Sequence, residues 1–116
     1  MSRVKRFLGA VRGRVRCWLV SYRTQLIDSL PKRLRNRTLY VVQEDGFLEQ
    51  AAMLCPCGCK GVLQMNLLAD ERPCWRLTCH KDGTTTLHPS VWRKKDCRSH
   101  FWLRRGQIHW CGPDER

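Results

Sequence analysis

Long apolar runs are missing from this chain. A secretory signal needs an uninterrupted apolar stretch of roughly 7–15 residues near the N-terminus. Arg3, Lys5, Arg6, Arg12, Arg14 and Arg16 interrupt every candidate. No segment approaches the roughly 20 apolar residues of a transmembrane helix. The expectation is a cytoplasmic protein whose thiols stay reduced. Also missing are the His-Glu-x-x-His pair of metalloproteases, a glycine-rich phosphate loop and a dinucleotide fingerprint. Acids are scarce at one end. Residues 1–37 hold eleven Lys/Arg against one acid, Asp28, whereas residues 38–116 hold eleven against nine. Of the net charge of +12, +10 therefore belongs to the N-terminal part. That asymmetry separates a basic extension, 1–37, from a nearly neutral domain, 38–116.

What the chain has in quantity is cysteine, eight in 116 residues. Three of them fall in Cys55-Pro56-Cys57-Gly58-Cys59. Three thiols within five residues cannot all pair with one another in disulfide geometry. A soft divalent ion has no such difficulty: zinc takes four Cys or His ligands in a tetrahedron, usually from two knuckles. The second knuckle is Cys97-Arg98-Ser99-His100, with its two candidates at x₂ spacing. Cys55, Cys57, Cys59, Cys97 and His100 thus give five candidates for four places on one Zn²⁺. Buried reduced thiols are the competing explanation. It suits Cys17, Cys74 and Cys111, and it suits a polar, Gly-containing loop badly. A domain this small has a small core, which a metal staple would support.

Residues 3–30 have helical periodicity. Val4, Phe7, Leu8, Val11, Val15, Trp18, Leu19, Tyr22, Leu26 and Ile27 recur at three- and four-residue spacing, and Pro31 provides a stop. The spacing predicts an amphipathic basic α-helix. Its apolar stripe would cap the β domain or a second copy. Its basic side chains, Arg3, Lys5, Arg6, Arg12, Arg14 and Arg16, would suit an acidic partner or anionic membrane surface, or nucleic acid. From residue 38 the texture changes to six or seven short strands, at 38–42, 51–54, 62–67, 75–78, 84–87, 101–103 and 107–110, with Arg105-Gly106 at a hairpin tip. Trp75, Trp92, Trp102 and Trp110 are expected in the core. Trp92-Arg93-Lys94-Lys95 offers a basic, aromatic contact for nucleic acid. The fold expected is mainly β: a small antiparallel domain with a zinc knuckle behind a helical extension.

Residues 38–111 resemble a small prokaryotic domain family encoded beside bacterial ubiquitin-like conjugation enzymes. The residues that carry the resemblance are Leu39-Tyr40-Val41, Leu54-Cys55-Pro56-Cys57-Gly58-Cys59, Pro89-Ser90-Val91, Cys97-Arg98-Ser99-His100-Phe101-Trp102 and Gly106-Gln107-Ile108-His109-Trp110. The resemblance implies a metal-binding fold working beside an activating enzyme, a conjugating enzyme, a ubiquitin-like protein or its protease, in antiphage defence. This chain departs from the pattern in two places. Trp92 follows Val91 without a short Gly-Asn insert, and Cys74 and Cys79-His80 are additional.

Two chemistries stay open. If His100 completes the zinc sphere, the site is structural and binds partners. If four cysteines hold the ion, His100 is free to act as general base for Ser90, Ser99 or a spare thiol. A peptidase that trims a ubiquitin-like tail would use that arrangement; without it, an adaptor role remains. The simpler reading of Ser90 is a hydrogen-bonding turn residue. No acid lies at a spacing that marks a third catalytic member. A zinc-ribbon nucleic-acid binder is the alternative of a different class.

Overall fold

The computed structural model describes residues 21–111, and every regular element among them is a strand. The eight strands are β1 (Arg23–Ile27), β2 (Thr38–Glu44), β3 (Phe47–Leu54), β4 (Val62–Asn66), β5 (Arg76–Cys79), β6 (Thr85–Trp92), β7 (His100–Arg104) and β8 (Gln107–Trp110). They form two four-stranded sheets, each in chain order, β1 to β4 and β5 to β8. All neighbours are antiparallel except β1 and β2, which run parallel.

Alternation along the strands builds one core from both sheets. Leu39 and Val41 of β2, Ala51 and Met53 of β3, and Leu63 and Met65 of β4 point inward from the first sheet. Leu87 and Val91 of β6, Phe101 and Leu103 of β7, and Ile108 of β8 meet them from the second. Burying each of the large side chains stabilises the fold by about 1.5–3 kcal/mol. The hairpin tips follow local chemistry. Asp45-Gly46 and Arg105-Gly106 all have positive φ, as a two-residue primed turn requires.

Two sequence expectations need correction. The helix predicted over residues 3–30 lies largely outside the described residues, as do Arg3, Lys5, Arg6, Arg12, Arg14 and Arg16. Where it can be followed it is replaced by β1, which pairs residue by residue with Thr38–Val42. The spacing of Tyr22, Leu26 and Ile27 does not describe one buried face: Tyr22 enters the core, while Leu26 is 57% exposed. Pairing along the edge of β2 and a hydrogen bond between Thr24 Oγ1 and Thr85 Oγ1, 2.8 Å, outweigh helical periodicity. The second correction concerns the tryptophans. Trp75 and Trp102 are half-buried, and Trp92 and Trp110 are exposed. The core is filled mainly by aliphatic side chains with Phe101 and Tyr22 instead, and Trp75 packs against its edge.

Candidate active site and metal centre

The site is built on the hairpin of β6 and β7 and on the loop joining β3 to β4. In the hairpin, Leu87 lies opposite Leu103, and Val91 lies opposite Phe101. Between these pairs His88, Pro89 and Ser90 face Trp102 alone. Such a bulge breaks the ladder and re-aims the side chains it carries. Here it turns the Ser90 hydroxyl to the His100 ring, with Oγ and Nε2 2.9 Å apart. Both residues are half-buried.

Three contacts fix this pair. Trp92 is the register partner of His100, and their rings stack with centroids 5.0 Å apart and 20° between planes. Lys94 Nζ lies 5.0 Å from the centre of the Trp92 ring on which the histidine rests. The Trp75 indole N–H donates to the Ser90 carbonyl at 3.3 Å, so the serine is held from the backbone side as well.

Cys55, Cys57, Cys59 and Cys97 come together a few residues away, their four sulfurs all within 4.8 Å of one another. Cys55 Sγ lies 3.4 Å from Cys57 Sγ and 3.5 Å from Cys97 Sγ. Sulfurs about 2.3 Å from a tetrahedral zinc would stand about 3.8 Å apart. The set therefore fits one four-coordinate ion. His100, the fifth candidate, does not join it: its ring is turned to Ser90 and packed on Trp92.

Local sequence explains how the thiols converge. Cys55 N–H donates to the Gly61 carbonyl and Gly58 N–H to the Cys55 carbonyl, closing the loop on itself. Gly58 has φ +95°, a left-handed conformation that a side chain would strain. The reversal lets the Gly61 N–H reach Cys59 Sγ at 3.4 Å. On the other knuckle the Ser99 hydroxyl lies 3.2 Å from Cys97 Sγ and 3.3 Å from Cys55 Sγ. That hydroxyl draws the Cys97 thiol down to about 6, while burial pushes the Cys55 thiol up to about 12.

Arg93 and Ser99 are the contributors that the cysteine pattern does not reveal. The Arg93 guanidinium reaches Cys59 Sγ at 3.4 Å and Cys97 Sγ at 3.6 Å, and is itself held by Asp96 at 2.8 Å. A divalent ion with four thiolates would carry a net charge of −2, half of which this guanidinium would offset. Such outer partners orient metal ligands. The sequence offers Arg93 only as part of a basic run. Its place four residues before Cys97 was the signal.

A family model described as bacterial ubiquitination-like system serine protease (BubE) matches residues 26–111. No curated protein and no solved structure matches the chain.

Proposed function

The chain belongs to the bacterial ubiquitination-like system serine protease (BubE) family, and from that membership we propose that Ser90 is the nucleophile and His100 the general base of a peptidase acting on a ubiquitin-like protein. The observation that carries this reading is the 2.9 Å contact between Ser90 Oγ and His100 Nε2. A hydroxyl is a weak nucleophile until a neighbouring base accepts its proton. In this reading Oγ attacks the scissile carbonyl carbon as its proton passes to Nε2. The tetrahedral intermediate collapses, the C–N bond breaks, and Nε2 returns the proton to the leaving amine. Water then enters by the reverse sequence, with His100 again as base, and releases Ser90. No carboxylate is needed to orient the ring if Trp92 stacking holds it in place.

The metal reading is structural. Cys55, Cys57, Cys59 and Cys97 would hold a zinc ion and close its coordination sphere, so the ion supplies rigidity rather than a reactive water. Its effect on chemistry would be indirect, through the loop 93–99 that joins the Ser90 strand to the His100 strand. The partners of such a peptidase would be the ubiquitin-like protein and the activating and conjugating enzymes of its pathway. A role in antiphage defence rests on the resemblance rather than on the geometry.

The test is cleavage of a ubiquitin-like protein carrying a C-terminal extension, by the wild-type chain, Ser90→Ala and His100→Gln. Ser90→Ala is expected to abolish processing. His100→Gln is expected to slow it by about 10²–10⁴-fold, the usual contribution of a general base. Zinc content should stay the same in both. Processing that survives Ser90→Ala would overturn Ser90 as the nucleophile, and no processing by the wild-type chain would leave it an adaptor.

A further inference from the structure

Beside Ser90 lies a groove of about 570 Å³, large enough for several side chains. Leu48, Leu67, Trp75 and Leu77 form apolar walls, Pro89 closes the end next to Ser90, and Arg72 and Arg76 stand at the margin. Three observations bear on what it takes. The groove adjoins Ser90: His88 and Pro89, the two residues before the serine, line it, and Trp75, which lines it too, donates to the Ser90 carbonyl. It is close: Arg76 stands across the ladder from His88, two residues before Ser90. At about 3.3 Å per residue along a strand and 4.8 Å between strands, that is within roughly three residues of an extended peptide. It is also charged in one sense, since two arginines and no carboxylate line it. Both arginines are exposed, and neither has an acidic partner within salt-bridge distance among the described residues.

We infer that this groove is the specificity pocket of the peptidase: it takes an apolar side chain of the substrate's extended tail, within three residues of the bond cut, with an acidic residue of that tail meeting Arg72 and Arg76. The inference rests on the peptidase reading and adds the substrate's chemistry to it. The apolar side chain supplies affinity by leaving water, and the arginines select the sequence around it. A tail with Lys or Arg at the same place is rejected by like charge.

The probe is a mixed library of peptides from a digested proteome, incubated with the full chain and with Ser90→Ala, the new termini being aligned by mass spectrometry. Expected are cleavages that need Ser90 and that show Leu, Ile, Val, Met or Phe enriched at one position within three residues of the cut, with Asp or Glu beside it. Two synthetic peptides differing only by Asp or Lys at that second position are then compared on wild-type and on Arg72→Glu/Arg76→Glu. The preference for the Asp peptide, as a ratio of kcat/KM, is expected to fall by about fivefold, the scale of exposed ion pairs. Ser90-dependent cleavage with no positional preference would overturn the inference and leave the peptidase standing. So would an equal loss on both peptides, which marks a structural role for the arginines. Absence of any Ser90-dependent cleavage would overturn both.

Discussion

Cys97, on the connection between β6 and β7, stands three residues before His100, the first residue of β7; one lies in the sulfur cluster and the other against Ser90. The loop 93–99, which carries Cys97, is closed by Arg93 N–H on the Ser99 carbonyl at 2.8 Å. A change at the sulfurs would reach the serine through this one short, hydrogen-bonded segment.

Removal of the metal should accordingly unfold the domain. Structural zinc contributes on the order of 10 kcal/mol in small fingers, comparable to the stability of a whole domain. One zinc per chain is expected by elemental analysis, with a large fall in melting temperature on adding chelator. Cys59→Ser should reproduce that fall, whereas Cys79→Ser, at an exposed thiol outside the cluster, should melt like the wild type. A metal-free protein with an unchanged melt would sink the zinc assignment.

Arg93→Ala removes the cation beside Cys59 and Cys97 but leaves all four ligands in place. Loss of such an outer partner typically weakens metal binding by about 10–100-fold. Competition against a chromogenic chelator measures it. Arg93→Lys should recover part of the affinity, since it restores charge without the two-pronged geometry. An affinity unaltered in the alanine variant would separate Arg93 from the metal centre.

Thr24→Val tests the strand at residues 23–27. The Thr24 hydroxyl bonds that of Thr85, which is 3% exposed. Its loss leaves a buried hydroxyl unpaired, at a cost of about 1–3 kcal/mol. The urea midpoint should fall to match. A midpoint equal to the wild type would argue that β1 is not docked on the second sheet.

Tyr22 makes stability depend on alkaline pH. Burial, aided by the neighbouring Cys55, raises its phenol from 10 to about 12. The folded state thus favours the neutral phenol, whose O–H donates to the Leu54 carbonyl at 3.3 Å. This contribution is complete below pH 10 and is lost as pH rises through 12. Tyr22→Phe should be less stable at neutral pH by about 1 kcal/mol and should lose less between pH 10 and 12. Parallel denaturation profiles of the two proteins across that interval would contradict this.

Much of the fold was legible because it is local. β-branched and aromatic composition marked β2, alternation marked β5, and Arg105-Gly106 marked the hairpin of β7 and β8. The cysteine knuckles were legible for a similar reason, since ligand spacing is set by the ion. What was not legible came from long-range pairing. β1 exists because β2 presents a free edge, and five residues without strict alternation do not announce it. The upstream half of β3, 47–50, was missed although Asp45-Gly46 is a turn signal just before Phe47. The tryptophans mislead because large aromatics also serve at surfaces: Trp92 carries His100, and Trp75 holds Ser90. The nearness of Ser90 to His100 depends on a break in register between two strands, and no motif length reports it.

That break also has a genetic meaning. His88, Pro89 and Ser90 occupy a place where Trp102 has room for one partner. A gene two codons shorter there would encode a hairpin paired without interruption from Thr85 to Trp92. Its core positions, Leu87 and Val91 among them, would keep their partners, and so would the cysteines. The product is expected to fold and to keep its four sulfurs together, but it would carry no presented hydroxyl. If Ser90 is the nucleophile proposed above, this scaffold stands one small in-frame deletion from an inert binding domain.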